Sequence, residues 1–153
     1  MSLFSKVIQK LYKLAYHLQL VSNFFYEKKV RGAYVAVWFN DHILLIQNSY
    51  KKYKTLPCGG VKRSEGIAQA AARELWEEVG ILSSPEMLEL VSVMIRYEEH
   101  KEDTVYIFEL FLNDKPKIEI DNREVVWASF VDKNTALAEN LAPAVNVYLA
   151  ERI

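Results

Sequence analysis

The sequence predicts a layered α/β domain behind an N-terminal amphipathic helix. Three observations carry this reading. Apolar side chains recur at helical spacing over residues 3–26. From Gly32 the pattern changes to short alternating or continuous apolar runs, the mark of strands. One patterned helix, 67–79, lies between strand-like segments, and a last helical pattern closes the chain. Strands on both sides of a central helix argue for α/β or α+β layers.

The elements follow in order. Phe4, Val7, Ile8, Leu11, Leu14, Ala15, Leu18, Val21 and Phe25 form the apolar positions of the first helix. Residues 32–39 (GAYVAVWF) and 42–48 (HILLIQN) read as strands joined by the tight turn Asn40-Asp41. A loop with Pro57, Gly59 and Gly60 follows. In the helix at 67–79, Ile67, Ala71, Leu75 and Val79 make an apolar stripe, and Gly80 is a natural stop. Strands are expected at about 88–97 and 104–112 around a charged tip, 98–103 (EEHKED), and again at 124–131. A helix over 135–151, with Leu137, Leu141, Val145 and Leu149, ends the chain.

Composition bounds the function. A chain of 153 residues is most simply one domain, and 51% hydrophobic residues suffice for a core. A net charge of −1 gives no nucleic-acid signature. The single Cys58 excludes an internal disulfide and fits a reducing, cytoplasmic setting. No apolar run reaches the ~18–20 residues of a membrane span, and the N-terminus does not read as a signal peptide. Charge is uneven. Lys6, Lys10, Lys13, Lys28, Lys29 and Arg31 face only Glu27 in residues 1–31, a local +5 that leaves −6 on the remainder. An acidic body fits carboxylates gathered around a cation.

Glu74, Glu77 and Glu78 concentrate that charge. At i, i+3 and i+4 they share one helix face and repel. They also occupy the last turns before Gly80, where the macrodipole disfavours anions by roughly 0.3–1 kcal/mol each. A hard divalent cation held by oxygen ligands removes the conflict. The same residues stand in a longer pattern. Gly59 is followed after five residues by Glu65, and after seven more by Arg73-Glu74-Leu75-Trp76-Glu77-Glu78-Val79-Gly80-Ile81.

This pattern resembles the Nudix box of the Nudix (MutT-like) hydrolases. The flanks agree: a Gly-led strand and its hairpin partner, Leu56-Pro57, and a later strand containing Trp127. The resemblance covers roughly residues 31–150. It implies a Nudix-type α/β/α sandwich with a mixed sheet over residues 31–153, with residues 1–30 as a helical extension. It implies hydrolysis of the diphosphate linkage of a nucleoside diphosphate joined to another group: an NTP, ADP-ribose, a nucleotide sugar or a dinucleoside polyphosphate. The cofactor implied is Mg²⁺ or Mn²⁺. A divalent cation neutralises diphosphate oxygens and activates water, and phosphoryl chemistry needs chiefly positioning and charge neutralisation.

By the same resemblance Glu74, Glu77 and Glu78 are metal ligands, joined by the Gly59 carbonyl or that of a neighbour. Arg73 orients a box glutamate by an ion pair, with Glu65 as one candidate partner. The general base is Glu74 or a later glutamate, among Glu98, Glu99, Glu119 and Glu124. Candidate substrate contacts are Tyr50, Tyr53, Lys62 and Arg63 around the loop, which offer stacking and charge. Tyr97, sixteen residues past Ile81, stands where the family associates tyrosine with dinucleoside polyphosphates. The bland readings sit beside these: charged loops are commonly solvated, Tyr50 and Tyr53 cover the loop, and a strand-end tyrosine is ordinary. Cys58 has no histidine beside it in sequence and is not read as a nucleophile. His17, His42 and His100 are scattered.

The expected partner is a small nucleotide, with no nucleic acid. A binding module that senses a nucleotide without cutting it is the alternative. The N-terminal helix has three readings: packing on the sandwich, a homodimer interface, or peripheral contact with an anionic membrane through Lys6, Lys10 and Lys13.

Overall fold

A computed structural model describes residues 3–25 and 28–152, apart from the side chain of Glu98. The elements are α1 (Leu3–Phe25), β1 (Lys28–Phe39), β2 (His42–Asn48), β3 (Cys58–Gly60), α2 (Ile67–Val79), β4 (Glu89–Glu98), β5 (Lys101–Phe111), β6 (Val125–Asp132), α3 (Lys133–Ala138) and α4 (Pro143–Glu151). One sheet runs in the order β4-β5-β1-β2-β6, with β3 paired to β1. β1 and β5 are parallel over eleven residue pairs, from Lys28↔Lys101 to Trp38↔Phe111; the other pairings are antiparallel. The sheet is therefore mixed, as expected.

Alternation along β1 sorts its side chains between two cores. Ala33, Val35 and Val37 pack with Ala71, Leu75 and Val79 of α2 on one face. Ala36 and Trp38 pack with Val145, Tyr148 and Leu149 of α4 on the other. This gives the α/β/α layering. α2 begins at Ile67 and ends on Gly80, whose φ of 72° lies in the left-handed region that glycine tolerates without Cβ strain.

Several details differ from expectation. The charged tip 98–103 is not a six-residue loop. β4 and β5 continue to the two-residue turn Glu99-His100, both at positive φ (53° and 57°), which matches the right-handed twist of the strands. Cys58–Gly60, expected as loop, adds a short strand to β1. The terminal helix is two helices: Pro143 opens α4, and the connection at Asn140–Ala142 pairs with Lys54 instead. α1 reaches from Leu3 to Phe25, yet its apolar stripe faces away from the sandwich, with Leu11, Leu14 and Leu18 each more than half exposed. Among the described residues no helix is long and apolar enough to cross a membrane.

Candidate active site

The box folds as a short strand, a loop and α2. β3 carries Cys58 and Gly59 along β1, and the loop at 61–66 returns the chain to the start of α2. α2 buries Ala71, Leu75 and Val79. Its helical period then turns Glu74 and Glu78, four residues apart, toward β3.

Glu78 is buried at 7% exposure. Its Oε2 accepts the Cys58 backbone N–H at 2.8 Å and its Oε1 accepts Asn48 Nδ2 at 3.3 Å. A bulge between Gln47 and Asn48 at the end of β2 presents that amide. None of the described residues gives Glu78 an ion-pair partner. Burial, reinforced by the neighbouring charges of Glu74 and Glu124, holds its pKa well above the usual carboxylate range. Glu74 is raised as well, first by burial and then by Glu77 and Glu124, against the pull of Arg73. Gly59 is what lets Glu74 sit where it does. A Cβ at Gly59 would lie 2.1 Å from the Glu74 carboxyl carbon, so any side chain there would push the carboxylate out of this position.

Arg73 gathers the rest of the box. Its Nε and Nη2 grip Glu65 in a two-pronged pair at 2.7 and 2.9 Å, and Nη2 also donates to the Gly60 carbonyl at 3.1 Å. Its Nη1 donates to Glu74 at 2.5 Å and to Glu77 at 3.1 Å. Those contacts, led by the hydrogen bond from Arg73, draw the Glu65 pKa down to about 2. Glu77 is the most exposed of the three helix acids, at 45%.

The later glutamates separate clearly. Glu124 lies against the box: Tyr50 Oη donates to its Oε1 at 2.9 Å, and its charge acts on both Glu74 and Glu78. Glu99 is held instead by Lys51 at 2.5 Å and by the hydroxyls of Tyr16 and Tyr53. Glu119 is exposed beyond the end of α2 and pairs with Lys117. The Glu98 side chain lies outside the described residues.

The candidate substrate contacts also divide. Tyr50 is packed under α1, with the rings of Tyr16 and Tyr12 at 5.4 and 6.1 Å. Tyr53 packs with the α4-side core. Lys62 and Arg63 are exposed on the box loop. Tyr97 sits on the edge strand β4, its hydroxyl on Glu102 at 2.9 Å, and lines a separate cavity of about 580 Å³. The cavity that reaches the box is smaller, about 260 Å³. It is bounded by Gly59 and Gly60, by Arg31, Tyr34, Lys51 and Lys101, and by Tyr16 and Gln19 of α1. Sequence reasoning placed none of Asn48, Tyr16, Gln19, Arg31, Tyr34 or Lys101 at the site, because each arrives from an element distant in sequence.

The donor set suits a hard divalent cation: the buried Glu78 and the partly buried Glu74, both with raised pKa values, the exposed Glu77, and a fourth acid at Glu124. As folded here, Arg73 occupies Glu74 and Glu77, and among the described residues no three acid, histidine or cysteine groups converge as a ready ligand set. A cation would take Glu74 and Glu77 from Arg73, which keeps its grip on Glu65.

Comparisons agree with this geometry. The NUDIX domain profile matches residues 28–151. A MutT protein from Methanosarcina mazei Go1 superposes with a TM-score of 0.72 at 18% identity, over 82% of this chain and 94% of its own. A bifunctional NMN adenylyltransferase/ADP ribose pyrophosphatase from Francisella tularensis, complexed with AMP and Mn ion, gives 0.70 at 19% identity, over 91% of this chain and 47% of its own. A C. elegans Ap4A hydrolase gives 0.65 at 22% identity, over 79% of this chain and 92% of its own. No curated protein matches by sequence. At these identities the superpositions show the fold; the profile, spanning most of the chain with the box intact on β3 and α2, shows the family. The chain belongs to the NUDIX domain family, the MutT-like hydrolases.

Proposed function

We propose that the protein is a pyrophosphohydrolase, dependent on Mg²⁺ or Mn²⁺, that cleaves a nucleoside diphosphate linked to another group. The substrate is an NTP, ADP-ribose, a nucleotide sugar or a dinucleoside polyphosphate. The observation that carries this is Glu78: a buried carboxylate with no ion-pair partner among the described residues, beside a second raised carboxylate that lies directly over Gly59. Such an arrangement opposes folding unless a cation is its purpose.

Glu74, Glu77 and Glu78 hold the metal, with the Gly59 carbonyl as a further oxygen. When bound, the metal neutralises diphosphate oxygens and lowers the pKa of a water. The remaining work belongs to the chain. Lys51, Lys101 and Arg31 line the cavity and draw in the polyphosphate. Tyr16, Gln19 and Tyr34 bound its far side and receive the nucleoside. Glu124, held in place by the Tyr50 hydroxyl, takes the proton from the attacking water. Arg73 positions Glu74 through its anchor on Glu65. The hydrolase domain comprises residues 31–153, and the extension, residues 1–30, contributes one wall of the cavity.

One observation favours a nucleotide sensor instead: Arg73 already satisfies Glu74 and Glu77. Incubation with the four substrate classes and Mg²⁺ separates the two. Release of a nucleoside monophosphate or pyrophosphate supports the hydrolase. Tight binding of one class with no product from any overturns it.

A further inference from the structure

α1 is fixed to the domain by one face. Gln9 donates to the Asn122 carbonyl at 2.9 Å, Tyr16 to Glu99, and Asn23 to the Glu99 carbonyl at 3.2 Å, while Tyr12 and Tyr16 pack on Tyr50. The opposite face carries Phe4, Val7, Leu11, Leu14, Leu18, Val21 and Phe25, each 49–72% exposed; of these, Phe4 at the start of the helix also meets the domain, with Arg123 5.4 Å from its ring centre. Since the inner face is already engaged, this stripe does not await folding onto its own domain.

The stripe has a strict period. Its steps are three and four residues in alternation, so Phe4, Leu11, Leu18 and Phe25 repeat every seven residues, as do Val7, Leu14 and Val21. A repeat of 3.5 held over three heptads is the seam of a helix pair. A lipid surface imposes no such period and accepts a wider arc. The exposed apolar area is on the order of 800 Å², above the ~300–600 Å² of the largest patch on a typical monomer.

We propose that this stripe is a homodimer seam, in which two copies of the chain pair through antiparallel α1 helices. The inference is independent of the proposed chemistry. Two stripes together bury on the order of 1,500 Å², within the ~1,200–2,000 Å² of stable specific interfaces. Charge sets the direction. α1 contains no acidic residue, and Lys6, Lys10 and Lys13 all lie in its N-terminal half, at the positive end of the helix dipole. Parallel pairing would crowd six lysines. Antiparallel pairing about Leu14 sets Lys6 and Lys10 of each copy against the partner's C-terminal half, which has no basic residue in its last turn, and leaves only the two Lys13 residues near the twofold axis. The anchored face points away from the seam, so the two domains sit on its outer sides. The contact is isologous and closes at two copies.

Sedimentation velocity of the full chain over roughly 1–100 µM reads the association directly. A dimer is expected; a monomer at every concentration overturns the proposal, whatever the variants do. Leu14→Glu, at the centre of the stripe, should weaken the dimer at least 100-fold while leaving the melting temperature of the monomer unchanged. A variant that folds and stays dimeric overturns the seam. Spin labels on Leu3→Cys, beside the stripe and exposed, in a Cys58→Ser background report direction: antiparallel helices place them at least ~25 Å apart, parallel ones about 10–15 Å. The short distance overturns the antiparallel arrangement. Co-pelleting with phosphatidylglycerol–phosphatidylcholine vesicles by a chain that does not self-associate would assign the stripe to lipid and overturn the dimer.

Discussion

Replacing Glu78 by glutamine should stabilise the metal-free protein and at the same time abolish its chemistry. Glu78 is buried, its charge opposed by Glu74 and Glu124. Its folded-state pKa is raised, so the native state keeps a proton over a range where the unfolded chain has lost it. Native stability is therefore greatest below the ordinary carboxylate pKa and falls as pH rises from there toward the folded-state value. The cost grows as pH rises above the ordinary carboxylate pKa and is complete above the folded-state value. Glutamine removes the charge and keeps the geometry. Its oxygen still accepts from the Cys58 N–H, and its amide meets Asn48, whose own amide can turn over to present oxygen. Each unit by which the folded-state pKa is raised corresponds to about 1.4 kcal/mol that a neutral side chain recovers. At roughly 2–4 °C per kcal/mol for a domain near this size, the metal-free variant should melt several degrees higher. Mg²⁺ should raise the melting temperature of the parent protein, because binding favours the native state, and should not raise that of the variant. Turnover should fall at least ~10³-fold. Thermal melts in EDTA and in Mg²⁺, with a turnover assay, test all three. A variant that melts lower than the parent in EDTA, or that keeps Mg²⁺ stabilisation and near-normal turnover, would refute the reasoning.

Gly59→Ala puts a Cβ 2.1 Å from the Glu74 carboxyl and displaces that side-chain end from Arg73; turnover should drop ~10–100-fold, while stability in denaturant titration falls by only about 1 kcal/mol or less, the worth of the ion pair lost. Glu124→Gln should lower kcat by ~10²–10⁴ with KM changed only a few-fold; unchanged kcat would return the base to Glu74. Glu65→Gln tests the anchor of Arg73. The hydrogen bonds from Arg73 lower the Glu65 pKa to about 2, so the pair's contribution is present above the ordinary carboxylate pKa and is lost as pH falls through about 2. The melting difference between parent and variant should hold from pH 8 to pH 5 and shrink below that, corresponding to about 1 kcal/mol or less for this partly exposed pair.

Much of the site was legible because its signals are local. The helix at 67–79 declared itself by apolar spacing and by Gly80, and β2 by a run bounded by turn residues. Arg73 and Glu65 are eight residues apart, within reach of one loop and one helical turn. The misses have a common cause. The break between α3 and α4 depends on Asn140 and Ala142 pairing with Lys54, which no helical period records. The Glu99-His100 turn accompanies a carboxylate held by Lys51 and Tyr16 from two other elements. The apolar stripe of α1 was visible, but not that Tyr12 and Tyr16 would be the residues to dock, leaving the stripe outside.

The sequence by itself determined the family, the layered fold and the acidic face of α2, since each rests on spacing along one segment, where backbone geometry converts distance in sequence into distance in space. Only the tertiary structure decided which later glutamate joins the box, what lines the cavity and which way α1 faces. Those outcomes depend on chain segments far apart in sequence meeting across the sheet, and on the burial and charge they impose on one another when they meet.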